Sequence, residues 1–253
     1  MADGGGALFE YLLRLGDNGL ILGHRLSEWC GHAPALEEDL ALANVALDLI
    51  GQAKHWLDLA GEVEGAGRDA DKLAYLRDAR QFRNVLLVEQ KNGDFAVTLG
   101  RQFLFDTWHY LLLGGLVRSS DQRIADIAAK AVKEVAYHAE RSRDWVVRLG
   151  DGTDESHRRM QAAVDALWPY TGELFEADTV DKAVVESGVG VDLAALRQPW
   201  LDHVGATLRE ATLAQPKQGW MQRGGKRGLH SEHLGYLLAE MQFLQRAYPD
   251  ATW

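Results

Sequence analysis

The stretch DFAVTLGRQFLFDTWHYLLLGGLV, residues 94–117, decides the fold of this 253-residue chain. Its aromatic and aliphatic side chains point in every direction around a helix, so that helix must be covered on all sides. Asp106, Thr107 and His109 interrupt the apolar run, which falls short of the uninterrupted apolar length that a membrane span needs. We therefore predict that this stretch is the central helix of a helical protein.

The segments on either side of this stretch are also predicted to be helical, because apolar residues recur at helical spacing and only five prolines occur. Helices of about 23–29 residues span about 35–43 Å at 1.5 Å per residue, a length typical of bundles. Asp121 is placed to cap the fourth long helix, Thr153 or Asp154 a fifth helix, and Ser231 the last helix. The four long helices are predicted at about residues 7–29, 34–60, 94–117 and 121–149.

A long connection separates the second long helix from the third. It begins with a Gly-rich, charged break at residues 61–71 and continues through short helical pieces to the turn at 91–93. Such a connection permits a crossover, as in ferritin-like bundles. We predict an all-α, ferritin-like four-helix bundle with additional C-terminal helices, forming one domain over residues 1–253.

Composition and charge exclude several classes of protein. Hydrophobic residues make up 47% and charged residues 25%, as in an ordinary globular protein. The formal net charge of −10 disfavours binding to nucleic acid. The single cysteine, Cys30, excludes an internal disulfide and a Cys-rich zinc site, and the N-terminal residues show no secretory signal. We expect a cytoplasmic protein that binds neither nucleic acid nor membrane.

The predicted bundle raises the question of a carboxylate-bridged di-iron centre. Such a centre takes one Glu from each of two helices and a Glu-x-x-His from each of the other two, because positions i and i+3 share a helical face. None of the nine histidines has a Glu three residues before it. The nearest substitutes are Asp106-x-x-His109 and Glu134-x-x-x-His138, which together supply half a site at most.

The second long helix lacks the complementary ligands. Asp48 lies on a polar strip, but Gly51 stands where a partner histidine would be, and glycine has no side chain to bind a metal. The favoured interpretation is a polar network without metal, in which the buried acids pair with His109, His138 or Lys54. A degenerate single-metal site and a di-iron centre with atypical ligands remain as alternatives.

A second candidate site is a basic, Gly-rich loop in an otherwise acidic chain. This loop is suited to a phosphate group or to the acidic surface of a partner. The alternative is a solvated turn without a ligand. The basic residues of the loop are Arg223, Lys226, Arg227 and His230.

Nine short motifs, distributed over nearly the whole chain, resemble those of the C subunits of bacterial phenylacetyl-CoA 1,2-epoxidases. The motifs are RLGDN (14–18), RLSEWCGHAP (25–34), LALAN (40–44), LDLIGQA (47–53), LLVEQ (86–90), KEVAYH (133–138), RLGDGT (148–153), GGKRGLH (224–230) and LAEMQ (238–242).

This resemblance implies a ferritin-like, non-catalytic structural subunit that pairs with a related catalytic A subunit. The A subunit holds the di-iron centre, and a separate reductase transfers electrons from NADPH through FAD and iron–sulfur groups. The resemblance also implies that the complex epoxidises phenylacetyl-CoA with O2 in phenylacetate catabolism. On this basis we expect no cofactor in this chain, and as partners the A subunit, other epoxidase subunits and further copies of the chain.

The resemblance also suggests partner-facing surfaces. We expect the first two helices to face a partner, and the basic loop to contact the catalytic subunit or the phosphates of coenzyme A. Two other hypotheses remain open: an oxygenase with an atypical iron site, and a free-standing helical binding protein.

Overall fold

The computed structural model describes residues 4–217, 219–249 and 251, and over these ranges it contains helices and turns but no β-strand. The α-helices are α1 (Gly4–Ser27), α2 (Leu36–Glu64), α3 (Ala70–Tyr75), α4 (Leu86–Glu89), α5 (Phe95–Leu116), α6 (Gln122–Gly150), α7 (Asp154–Leu167), α8 (Thr179–Glu186), α9 (Arg197–Glu210), α10 (Glu232–Met241) and α11 (Phe243–Ala247). Short 3-10 turns occupy Ala79–Gln81, Trp168–Tyr170, Gly172–Phe175, Ala194–Leu196 and Gly225–Arg227.

The helices form two compact units. The first unit contains α1 to α4 together with α10 and α11, and the second contains α5 to α9. A pair of long antiparallel helices is the core of each unit, α1 with α2 in the first and α5 with α6 in the second. The predicted all-α, ferritin-like fold class is confirmed. The interpretation of residues 1–253 as one domain stays a prediction.

Glycines on α1 allow it to approach α2 closely. A Cβ atom at Gly19 would lie 3.0 Å from the carbonyl oxygen of Leu49, and one at Gly23 would lie 3.1 Å from that of Ala46. Larger residues at these positions would push the two helix backbones apart. The close contact buries the apolar face of α1, including Leu12, which is fully buried.

Helix α5 is the buried helix that the sequence predicts. Leu99, Phe103, Leu104 and Phe105 are all 0% exposed. The second unit covers α5 on several sides, and the indole Nε1 of Trp200 on α9 donates a hydrogen bond of 3.0 Å to the carbonyl oxygen of Leu104. None of the helices over the described ranges is long and apolar enough to cross a membrane.

Most helix boundaries agree with the sequence prediction, because the capping side chains act as expected. Asp121 accepts a hydrogen bond from the backbone N–H of Arg123, and Thr153 accepts one from Ser156. Ser231 is the N-cap residue of α10, as predicted, but its side chain makes no capping hydrogen bond, and the short helix α11 follows α10. The backbone N–H of Ser231 instead donates to the Glu89 carboxylate at 2.6 Å.

Candidate functional site

A polar cluster lies within the core of the second unit, between α5 and α6. Asp106 is 0% exposed, and its carboxyl group accepts hydrogen bonds from Gln102 Nε2 at 2.6 Å and from Ser142 Oγ at 3.0 Å. Burial raises the pKa of Asp106 to about 8, against the lowering effect of these two hydrogen bonds. At neutral pH the group is therefore mainly a neutral carboxylic acid.

Two buried histidines belong to the same unit. His109 on α5 is 5% exposed and His138 on α6 is 1% exposed. Burial, together with the nearby His138, lowers the pKa of His109 to about 3, so its imidazole is neutral. The ring of His109 packs against Phe105, with ring centroids 5.1 Å apart, and its Nδ1 has no hydrogen-bond partner among the described residues.

The hydrogen-bond partners of Asp106 differ from the charged partners that we predicted, although the nearby charge of Arg141 also lowers the pKa of this acid. The acid makes no hydrogen bond to His109, and both of its hydrogen-bond donors are neutral side chains. Gln102 lies one helical turn before Asp106, so the spacing alone would have shown it as a candidate partner. Ser142 lies on another helix, and no sequence signal pointed to it.

The other predicted ligand positions offer little to a metal. Glu134 is half-buried on α6 in the second unit, whereas Asp48 and Gly51 lie on α2 in the first unit. Gly51 is exposed, and a Cβ atom there would meet no atom within 4 Å. Lys54, a predicted partner for a buried acid, pairs instead with Asp58 at 2.6 Å on the surface.

These residues do not fit a di-iron centre. Within residues 4–217, 219–249 and 251, no three His, Cys, Asp or Glu side chains are grouped so that they could hold a metal ion. A carboxylate-bridged centre requires several ionised carboxylates that converge on the metal ions. Asp106 is instead neutral and bound to an amide and a hydroxyl. The hypothesis of an atypical di-iron oxygenase receives no support from this arrangement.

The basic loop belongs to the first unit, and its glycines pack closely against another segment of that unit. A Cβ atom at Gly225 would lie 2.2 Å from the carbonyl oxygen of Asn84, and one at Gly228 would lie 2.2 Å from that of Arg80. Gly228 also has a left-handed φ of 76°, which favours glycine. The loop therefore fits closely against the chain at residues 80–86.

His230 anchors this loop. Its Nδ1 lies 2.7 Å from Glu89 Oε2, its Nε2 lies 3.0 Å from the carbonyl oxygen of Phe82, and its side chain is 5% exposed. Asn84 Nδ2 also donates to Glu89, at 2.9 Å, so the buried carboxylate is well satisfied. A buried carboxylate of this kind is stable only with such partners.

This packing limits which residues of the loop can reach a phosphate group or a partner. His230 is unavailable to a ligand because both ring nitrogens are engaged, and Lys226 is 9% exposed. Arg223 and Arg227 are exposed. The four-residue contact with a partner or with coenzyme A stays a prediction, and these two arginines are its most accessible members.

One face of α2 presents an apolar stripe to solvent. Leu36, Leu40 and Leu47 are 70%, 56% and 67% exposed, and they recur at intervals of four and seven residues. Residues at these intervals share one helical face. The open position at Gly51 continues the stripe, so another helix could approach α2 closely there. Sequence periodicity alone did not separate these exposed leucines from core leucines.

Comparisons with known proteins agree with the fold. The family model described as phenylacetic acid catabolic protein matches residues 3–253. The chain is 54% identical over 246 residues to the C subunit of the 1,2-phenylacetyl-CoA epoxidase of Escherichia coli strain K12. The match covers 97% of this chain and 99% of that relative.

Proposed function

The chain belongs to the phenylacetic acid catabolic protein family, and on that premise we propose that it is a non-catalytic subunit of a cytoplasmic 1,2-phenylacetyl-CoA epoxidase. In this role it pairs with the catalytic A subunit and supports its structure. The 54% identity to an epoxidase C subunit over almost the full length of both chains supports the assignment to this complex.

The observation that carries the non-catalytic role is the environment of Asp106. This acid is completely buried, and the hydrogen bonds from Gln102 and Ser142 satisfy its two oxygens without a metal. In a di-iron centre the same position would need an ionised carboxylate among several others. A neutral polar cluster stabilises the bundle core instead.

The exposed stripe on α2 supports a role in pairing. Three leucines that are each more than half exposed are costly to leave in water, and burying them in a partner would be favourable. A related helical subunit would offer a complementary helix face. We therefore place the contact with the A subunit on α2 at Leu36, Leu40 and Leu47.

In this proposal the cofactors belong to other chains. The A subunit holds the di-iron centre that activates O2, and a reductase with FAD and iron–sulfur groups supplies electrons from NADPH. This chain contributes a packed helical surface and no ligand.

Iron content tests the non-catalytic role. The purified chain and the A subunit are each loaded anaerobically with Fe(II), and loosely held metal is then removed. We expect less than about 0.1 iron per molecule of this chain, while the A subunit retains its iron. About two irons bound per molecule of this chain would overturn the proposal.

Activity of the pair tests the supporting role. The A subunit is co-expressed with this chain, and we expect the two proteins to co-purify as an active complex. The A subunit expressed alone is expected to lose activity. Asp106→Asn in this chain is expected to leave turnover by the complex within about twofold of the wild type. A stable, fully active A subunit without this chain would contradict the proposal.

A further inference from the structure

The second unit contains a groove of about 520 Å³ between α5, α6 and α9. Its apolar lining residues include Leu111, Ala136, Ala139 and Pro199. The two alanines on α6 leave room that larger side chains would fill. This volume lies within the range of ligand-sized cavities and is large enough for an aromatic or aliphatic side chain.

The charged residues that line the groove carry a net negative charge, because Glu140 and Asp144 outnumber Arg143. Glu140 and Asp144 on α6 line it, and the guanidinium of Arg143 pairs with Asp144 at 3.0 Å and also with Glu210 on α9. Arg143 therefore pairs with two carboxylates, and the third carboxylate, that of Glu140, is left outside these ion pairs. Burial and the nearby Arg143 lower the pKa of His203, so this lining residue adds no positive charge at neutral pH.

Two exposed side chains that line the groove are available to a ligand. Glu140 is exposed and makes no hydrogen bond or ion pair with the described residues. Tyr110 is 44% exposed and lines the groove, so its ring is accessible to a cation or to an apolar group.

The distribution of polar groups distinguishes a protein-binding groove from a small-molecule site. Small-molecule sites place a few polar groups inside the cavity, where they orient the ligand. Here the two lining carboxylates, Glu140 and Asp144, are exposed to solvent. The hydroxyl of the lining Thr107 already donates to the carbonyl oxygen of Phe103 at 2.8 Å. An apolar centre with a charged rim is the anatomy of a protein–protein interface.

We propose that this groove docks a basic segment of another polypeptide. An apolar side chain of that segment enters the cavity over Ala136 and Ala139, while neighbouring Lys or Arg side chains meet Glu140 and Asp144. The inference goes beyond the proposed function and does not depend on it, because it concerns a surface of the second unit and not the α2 stripe.

Binding of peptides to the full-length chain tests the proposal. The probes are a panel of about ten-residue peptides with Lys and Arg around a central Trp, Phe or Leu, and matched peptides with Glu in place of each basic residue. Isothermal titration calorimetry is expected to show a Kd below about 1 mM for the best basic peptide and binding at least about tenfold weaker for its acidic match. Added salt is expected to weaken binding of the basic peptide.

Variants locate the binding site. Ala136→Trp fills the groove and Glu140→Lys reverses charge at its rim, and each is expected to raise Kd at least about tenfold. The matched controls are Ala162→Trp on α7 and Glu186→Lys on α8, two exposed positions of the same unit outside the groove lining. These controls are expected to stay within about twofold of the wild type.

Three results would overturn the proposal. The first is that no basic peptide binds at about 1 mM, and the second is that a basic peptide and its acidic match bind with equal Kd. The third is that Ala136→Trp and Glu140→Lys both bind the basic peptide with the Kd of the wild type. Circular dichroism and thermal unfolding of each variant confirm that it is folded before its Kd is compared. A failure of this chain to pair with the A subunit would count against the proposed contact on α2 and would not affect the proposal for the groove.

Discussion

His230 and Glu89 form a buried pair that joins the C-terminal part of the chain to α4, with 2.7 Å between Nδ1 and Oε2. The other ring nitrogen of His230 lies 3.0 Å from the carbonyl oxygen of Phe82. Because both partners are acceptors, both ring nitrogens must donate, and the imidazole is protonated. The pair is therefore a buried ion pair that holds the basic loop in place.

This ion pair predicts a pH-dependent contribution to stability. Burial lowers the pKa of His230, but the hydrogen bond and charge of Glu89 outweigh that effect and raise the pKa above its usual value. The stabilisation is fully present below the unfolded pKa of about 6.5 and is lost as pH rises through the higher folded pKa. Urea unfolding is expected to show that His230→Gln lowers the free energy of unfolding by about 3 kcal/mol at pH 6 and by less at pH 9.

The control for this prediction is His32→Gln, a change at an exposed histidine of the same unit. It is expected to alter the free energy of unfolding by less than about 0.5 kcal/mol at either pH. An effect of His230→Gln that is the same at pH 6 and pH 9 would show that the native imidazole is not protonated.

Asp106 predicts a pH effect of its own. Because burial raises the folded pKa to about 8, the native state holds a proton that the unfolded state releases near pH 4. Between pH 5 and 7 the free energy of unfolding of the wild type is therefore expected to fall by about 1 kcal/mol per pH unit more than that of Asp106→Asn. The Asn side chain of the variant cannot ionise. The Asn side chain retains an acceptor for Gln102 and supplies a donor for the hydroxyl of Ser142.

Chemical denaturation of both proteins over this pH range measures the difference. The free energies of unfolding of the wild type and of Asp106→Asn are expected to approach each other towards pH 5. At pH 7 the variant is expected to be the more stable protein. Greater stability of the wild type at pH 7 would mean that Asp106 is an ionised carboxylate, which would restore it as a metal-ligand candidate.

The α2 stripe predicts a specific loss of association. Leu40→Lys and Leu47→Lys each place a charge where the partner helix should bury a leucine, and each is expected to weaken binding of the A subunit at least about tenfold. Both leucines are more than half exposed, so the thermal stability of the isolated chain should change little. Binding is measured by surface plasmon resonance with the purified A subunit.

Leu76→Lys is the matched control, because Leu76 is 51% exposed in the same unit but lies outside α2. It is expected to leave the affinity within about twofold of the wild type. Equal affinities for all three variants and the wild type would move the contact with the A subunit away from α2.

The glycine packing of the basic loop predicts a backbone effect. Gly228→Ala adds a Cβ atom at a φ of 76° and only 2.2 Å from the carbonyl oxygen of Arg80, so it is expected to cost about 2 kcal/mol or more. Gly51→Ala in the open position on α2 is the opposite case and is expected to stabilise the chain by about 0.5–1 kcal/mol. Thermal unfolding measures both changes, and a neutral Gly228→Ala would refute the close packing.

The sequence by itself determined the helices of this protein. The apolar residues on all sides of the stretch 94–117 predicted the buried helix α5, and capping side chains such as Asp121 and Thr153 marked where helices begin. The absence of Glu-x-x-His also came from the sequence, because i and i+3 geometry is a local property of any helix. These features depend on residues within a few turns of one another.

Only the tertiary structure decided which side chains meet. Glu89 and His230 are 141 positions apart, and Asp106 and Ser142 are 36 apart, so no local periodicity relates them. The same limit applies to Leu40 and Leu47, whose spacing matches that of core leucines although both are exposed. Burial depends on which helix covers which face, and that is set by packing of the whole chain rather than by any one segment.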